Sequence, residues 1–142
     1  MAANGELFYP AEHNGFIAGD WEGLITYRLG DGRCEVTLVM ALREGEGIGS
    51  ALLDATAARA RADDCTDLWL ISTNDNLHAL EWYRRKGFTV TAVREGAVDR
   101  SRETLKSSIP THNPDNGLPI SDEIELSLAL QTASAASASR DR

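Results

Sequence analysis

Apolar and polar residues run along this chain in two periods, one near 2 and one near 3.6. GFIAGDWEGLITYRL, Gly15 to Leu29, holds two short extended runs, FIA and LITYRL, divided by GDWEG, whose Gly and Asp supply turn chemistry. A second tight turn, GDG at Gly30 to Gly32, leads into CEVTLVMAL, Cys34 to Leu42, rich in β-branched and apolar residues. These three segments predict an antiparallel meander. From Ile48 to Ala62 the period becomes helical, with Ile48, Leu52, Ala55 and Arg59 along one face and Ala51, Ala58 and Ala62 beside it. TDLWLIST, Thr66 to Thr73, is continuously apolar at its centre, as expected of a strand covered on both faces. NDNLHALEWYRRKG predicts a second helix, with Asn74, Asp75 or Asn76 as cap and Gly87 as stop. FTVTAV predicts a strand, GAVDRSRETLK a short helix, and the alternating EIELSLAL, Glu123 to Leu130, a half-exposed strand. The order β-β-β-α-β-α-β-(α)-β describes an α/β chain with a single mixed sheet and helices packed on it.

The segment Ser107 to Ser121, with its prolines and asparagines, is long for a connection; it reads as a lid, a substrate wall or a plain surface loop. The tail from 132 to 142 is Ala/Ser-rich and expected to be disordered, leaving residues 1–131 as one domain. A net charge of -8 argues against partners that need basic patches, nucleic acid and anionic membrane alike, and tilts toward cationic small substrates. The N-terminal residues lack the basic start and apolar stretch of a secretory signal, and no apolar run approaches the roughly 20 residues of a membrane span, so a cytoplasmic protein is expected. Cys34 and Cys65 stand far apart without CxxC or a histidine at ligand spacing, which predicts two buried thiols and no metal site.

The sharpest local signal is REGEGIGSALL, Arg43 to Leu53, set between an apolar strand and an apolar helix. Glycines at 45, 47 and 49 let the backbone turn tightly and present successive N–H groups, and the helix start behind them carries about half a positive charge. Such a bend suits a phosphate or diphosphate, although glycines also gather in strand-to-helix turns for packing alone. A P-loop would need a lysine before the serine, and the GxGxxG dinucleotide spacing is not met, so a Rossmann-like nucleotide binder is the weakest reading.

EGEGIGSALL resembles the Q/R-x-x-G-x-G/A diphosphate loop of the Gcn5-related N-acetyltransferases. LWLISTNDNLHALEWYRRKGF is similar to the strand and helix that follow it in that family, with Asn76, Ala79, Tyr83, Gly87 and Phe88 on its N-x-x-A-x-x-x-Y-x-x-x-G-F spacing. The resemblance spans Gly15 to Leu130. It implies an acyl-CoA N-acyltransferase fold, N-terminally truncated, mostly antiparallel, in which the parallel strands Glu35 to Ala41 and Leu68 to Thr73 splay apart. It implies acetyl-CoA as co-substrate, no metal, and a primary amine on a small molecule or peptide as acceptor. Main-chain groups of Val39, Met40 and Ala41 would pair with the pantetheine arm, Glu44, Gly45, Glu46, Gly47, Ile48, Gly49 and Ser50 would form the diphosphate bend, and Asn74 and Asn76 would bond the pantetheine amides. Tyr83 would be the general acid, being neutral at working pH with an ordinary pKa of about 10. Glu35 would be the general base; His78 and His112 are alternatives without a positional argument.

Each residue also has a plainer role: Asn74 and Asn76 as helix caps, Tyr83 as core aromatic, Glu35 as a salt-bridged strand-end carboxylate. Two features depart from the family. Glu44 stands where Gln or Arg is usual, and only 14 residues precede Gly15, so the acceptor site is expected to be open or completed by a second subunit of a homodimer. The competing function is a non-catalytic acyl-CoA-binding or interaction module of the same fold.

Overall fold

The computed structural model describes residues 2–3, 6–7 and 13–131. Two short strands, β1 (Ala2–Ala3) and β2 (Glu6–Leu7), pair antiparallel. They are followed by β3 (Asn14–Ala18), β4 (Gly23–Gly30), β5 (Arg33–Ala41), α1 (Ile48–Ala62), β6 (Asp67–Thr73), α2 (Leu77–Arg85), β7 (Thr89–Arg94), α3 (Ala97–Thr104) and β8 (Glu123–Ala129). Strands β3 to β8 make a six-stranded mixed sheet in the order β3-β4-β5-β6-β8-β7, and from β3 onward the element order is the one the hydrophobic pattern predicts; the β1–β2 pair lies outside that pattern. The Ala/Ser-rich tail lies outside the described residues. Among the described residues no helix is long and apolar enough to cross a membrane. The chain divides into two compact units, Pro10–Trp69 with Leu128–Arg142 and Met1–Tyr9 with Leu70–Ser127.

In the first of these units β3, β4 and β5 form the expected meander, and α1 packs on it around buried Ile25, Val36, Leu52, Leu53 and Leu68. Gly23 makes the close approach possible, since a Cβ there would stand 2.5 Å from Ile48 Cγ2 and 3.1 Å from Leu52 Cδ1. The buried face of α1 is Leu52, Leu53, Thr56, Ala57 and Ala60, a correction to the expected one: Ala51, Ala58, Arg59 and Ala62 are exposed. Alanines all round this helix leave its periodicity too weak to fix the face, and the two adjacent leucines decide it. β6 is likewise not covered evenly on both sides. Leu68 and Leu70 are buried, while the Arg33 guanidinium lies 4.8 Å over the half-buried Trp69 ring and pairs with Asp67 at 2.8 Å. Cys34 and Cys65 are buried and free, and burial, with Cys65 and nearby carboxylates adding, pushes the Cys34 thiol up to about 12, so it stays protonated and unreactive near neutral pH.

In the second unit the long connection between α3 and β8 is tied down along its length. Arg102 Nε donates to Ile109 O, and its Nη2 donates to Pro110 O and Ile120 O, all within 3.0 Å. From the other side Asn74 Nδ2 donates to Pro119 O, and Asn74 Oδ1 accepts the amides of Ser121 and Asp122. Asn113 Nδ2 donates to Asp75 Oδ2 and Asn116 Nδ2 to Asp75 O, each at 2.9 Å. Of the readings open in the sequence, this bonding favours a fixed wall over a lid.

Candidate functional site

The residues singled out in the sequence fall into two groups. The first is one continuous run, β5, the glycine bend and the start of α1. β5 pairs with β4 throughout, but between Thr26 and Tyr27 the register shifts, Thr26 facing Leu38 and Tyr27 facing Val36. Thr37 is thus the extra residue of a β-bulge, which bends the strand and ends regular pairing locally. Its hydroxyl is held by Thr26 Oγ1 at 2.8 Å and His13 Nδ1 at 2.9 Å. On the other side, β5 pairs parallel with β6 at Cys34↔Leu68 and Glu35↔Trp69. Among the described residues that ladder ends there, although β5 continues to Ala41, so Val39, Met40 and Ala41 lie on a backbone edge with no strand register to β6. Such an edge accepts an added extended partner.

Past Ala41 the chain enters the exposed bend. Gly45 and Gly47 have φ of 79° and 78°, the left-handed region that favours glycine, and a Cβ at either would meet nothing within 4 Å. Packing is therefore not what glycine serves at these two positions; backbone shape and open approach are. The first amide after the bend to donate to a backbone carbonyl is that of Ala51, to Gly47 O at 3.0 Å. Among the described residues the amides of Gly45 to Ser50 donate to none, no side chain caps α1, and its first turn carries no acid. That is the physical form of an anion-receiving helix start. Arg43 Nε pairs with Glu46 Oε2 at 2.5 Å and its Nη2 with Glu22 Oε2 at 3.2 Å, so Arg43 offsets the charge of Glu46. Glu44 is exposed on the same bend.

The second group lies on α2 and the residues before it. Asn76 occupies the N-cap position but its side chain makes no cap hydrogen bond, which leaves a capping role without support. Asn74, by contrast, has its amide engaged at both ends by Pro119, Ser121 and Asp122. α2 ends in a Schellman motif: Gly87, with φ 100°, donates to Arg84 O, and Phe88 N donates to Tyr83 O, both at 3.0 Å. The hydrophobic contact that accompanies this motif is Tyr83 against Phe88, ring centroids 5.5 Å apart at 65°. The Y-x-x-x-G-F spacing is thus a helix terminator that also fixes a tyrosine ring. Trp82 holds the ring edge-on from another side, at 5.2 Å. Tyr83 is buried, and burial pushes its hydroxyl up to about 12. Among the described residues the hydroxyl has no protein partner, yet the buried unpartnered side-chain atoms are Asp75 Oδ1 and Arg94 Nη1 alone; the tip of Tyr83 therefore remains accessible.

Glu35 sits on β5, about 13 Å along the strand from Val39 by the rise of four residues. It is buried and accepts Arg28 Nε at 2.5 Å, so the salt-bridged alternative holds for its ground state. His78 and His112 are exposed. The bulge at Thr37 and the double pairing of Arg43 had no local signal in the sequence.

A strand with a free edge, a glycine bend opening a helix, and a later helix closed by Y-x-x-x-G-F together make the framework of an acyl-CoA N-acyltransferase. Residues 2–88 match the family model described as the Acetyltransferase (GNAT) family, and the chain belongs to that family. Relatives include the Bacillus subtilis (strain 168) protein YdhI, 37% identical over 134 residues that cover 92% of this chain and 82% of YdhI. YxbD of the same organism is 38% identical over 109 residues, 77% of this chain and 67% of the relative. Solved structures of the same fold include a Bacillus subtilis acetyltransferase in complex with CoA, with a TM-score of 0.67 and 19% identity, covering 82% of this chain and 74% of the other. A GNAT family acetyltransferase from Elizabethkingia anophelis with acetyl-CoA bound gives a TM-score of 0.63 at 22% identity, covering 76% and 68%.

Proposed function

We propose that the protein transfers an acetyl group from acetyl-CoA to a primary amine by direct attack. The observation that carries this reading is the bend with its open φ-positive glycines 45 and 47, whose amides from Gly45 to Ser50 donate to no backbone carbonyl among the described residues. Those amides take the diphosphate. The edge of Val39, Met40 and Ala41 pairs with the pantetheine arm and polarises the thioester carbonyl, and Asn76 bonds the pantetheine amides. Asn74 serves the same end from behind, by holding the 119–122 backbone beside it. Tyr83 donates toward the departing thiolate. Glu35, held by Arg28 and far along the strand, accepts the amine proton through water. Calorimetry with acetyl-CoA, coupled to amine-dependent thiol release over a panel of small amines and peptides, tests the reading, and Glu35→Gln in the same assay tests the base. Binding without turnover would favour the acyl-CoA-binding module instead, an outcome made reasonable by the carboxylates on the bend. Absence of acetyl-CoA binding would remove both.

Glu44 weakens this site by repelling a diphosphate. One charge at about 6 Å in water, reversed in sign, changes an equilibrium by roughly tenfold. Glu44→Arg is therefore expected to tighten acetyl-CoA binding by about tenfold at low salt, with the gain shrinking as salt screens it. An unchanged dissociation constant in calorimetry would mean that the bend does not face the diphosphate.

The same reading includes a homodimer that completes the acceptor pocket. Its support is the edge strand β7, where Val90 and Val93 are exposed at 40% and 54%. Sedimentation should then show a concentration-dependent increase in mass, and a monomer at every concentration would refute the assembly.

A further inference from the structure

Helix α1 covers one face of the β3–β5 meander. Gly23 turns toward it, with Ile48 and Leu52 closing over the glycine, and its register partner Ala41 shares that face. Strand alternation puts the next rung on the opposite face. That rung is Ile17, Leu24 and Met40, matched across β3, β4 and β5. Leu38 and Leu42 continue the same face along the chain, two residues to either side of Met40. Leu24 and Leu38 are half-buried, but Ile17 is 48% exposed, Met40 55% and Leu42 70%. Single exposed apolar residues are ordinary; five in one strip mark a contact surface.

The two ends of the strip differ in chemistry. One end runs into the hydroxyls of Thr26 and Thr37, 2.8 Å apart, and beyond them into Glu35 paired with Arg28. Arg28 is the register partner of Glu35 and stands two residues from Thr26, so Glu35 lies on the strip's face and not on that of α1. At the other end Leu42 N donates to Glu22 O at 2.9 Å, which carries the pairing one rung further and sets Glu22 beside Leu42. Asp20, Glu44 and Glu46 flank the same end in sequence, against an Arg43 guanidinium already shared by Glu22 and Glu46. That end is acidic. At the hairpin tip Trp21 holds φ 62°, a conformation unfavourable for a bulky residue, with 70% of its surface exposed. Neither the backbone nor the core gains from this ring, so its use lies in a contact that the folded chain itself does not supply.

We propose that this strip holds the acceptor, and that the acceptor is a primary amine on an apolar body, an aralkyl or medium-chain alkyl ammonium. The inference rests on the acetyl-transfer reading and names its substrate class. That reading puts the thioester along Val39 to Ala41, where α1 packs over the other face of the sheet. An amine that attacks from the strip therefore meets the carbonyl and Glu35 from one side. From Met40 across to Ile17 is about 10 Å, two strand spacings, which is the reach of a phenethyl or hexyl group. The acidic end attracts the ammonium and repels acceptors that carry a carboxylate.

The test measures thiol release by the full chain with phenethylamine, hexylamine, ethylamine and spermidine. kcat/KM is expected to be at least about tenfold higher for phenethylamine and hexylamine than for the other two. Ile17→Lys is expected to cut the preference for phenethylamine over ethylamine about tenfold, a ratio that a general loss of structure would not move. Ile17 stands on the edge strand β3, two strands from the β5 edge, so the change is tolerated by the fold. Ile17→Thr keeps a residue suited to a strand and is expected to cut the preference about threefold. Calorimetry of phenethylamine with the CoA-loaded chain separates this proposal from the transfer reading. Binding that weakens in Ile17→Lys without turnover of any amine keeps the strip as an amine site and removes the transfer. Turnover of ethylamine or spermidine as efficient as that of phenethylamine keeps the transfer and overturns the strip. No amine bound and none turned over overturns both. A dimer lost in Ile17→Lys with the amine preference intact makes the strip an interface between copies of the chain, which also overturns the proposal.

Discussion

Tyr83→Phe is expected to lower kcat by about 10²- to 10³-fold while leaving the fold and the affinity for acetyl-CoA nearly unchanged. The substitution is clean because the ring, not the hydroxyl, closes the Schellman motif against Phe88 and packs on Trp82. The hydroxyl has no protein partner to lose among the described residues. Burial pushes it up to about 12, so the neutral donor form persists until the pH rises through that value. Its contribution to stability has the matching sign: complete below the ordinary tyrosine value of about 10 and lost as pH climbs from there toward 12. No fall in kcat at moderately alkaline pH should therefore trace to Tyr83. With a free thiol near 8.5, full proton transfer from so weak an acid runs uphill. The hydroxyl acts chiefly as a hydrogen-bond donor to the developing thiolate, which sets the expected loss near the size of one oxyanion-stabilising bond. A variant within twofold of the parent in kcat would strip Tyr83 of its role.

The features legible in the sequence are those encoded within about a dozen residues. The meander, the glycine bend, and the helix running from Ile48 to Ala62 follow from turn residues and local period. Gly87 as stop and Phe88 as next strand entry were legible for the same reason, because a Schellman motif is built from six consecutive residues. What escaped depends on partners far along the chain. Thr37 becomes a bulge through its register against Thr26 and Tyr27, and nothing in CEVTLVMAL marks which residue is extra. Asn74 looks like a cap, yet its amide is taken by residues 45 to 48 positions later. The buried face of α1 is not fixed by its period, because Ala51, Ala58 and Ala62 carry too little apolar area to set the helix rotation, whereas Leu52 and Leu53 carry enough. At the site, identity of residue types was readable but their charge state of engagement was not: Arg43 and Glu35 both stand in ion pairs that sequence spacing alone does not reveal.

Arg102→Met is expected to destabilise the protein by about 2–4 kcal/mol, more than an ordinary change at a partly exposed position. One guanidinium satisfies Ile109 O, Pro110 O and Ile120 O, joining both ends of the loop between α3 and β8, and its Nη1 pairs with Asp99 Oδ1 at 2.7 Å. Bonds to a charged donor are worth about 1.5–3 kcal/mol each, but the three carbonyls recover water when released, so the sum falls well short of three times that value. Asn74 and Asp75 still grip the distal half of the loop in the variant. The opening should therefore be local, detectable as new protease cleavage between 106 and 112 before global unfolding. Lysine is not a substitute, because a single ammonium cannot span carbonyls that the planar fork reaches from two nitrogens at once. Arg102→Lys is expected to lose at least half the stability that methionine loses. If Arg102→Lys unfolds at the parent denaturant midpoint, or if Arg102→Met costs under about 1 kcal/mol, the guanidinium is not what fixes this wall.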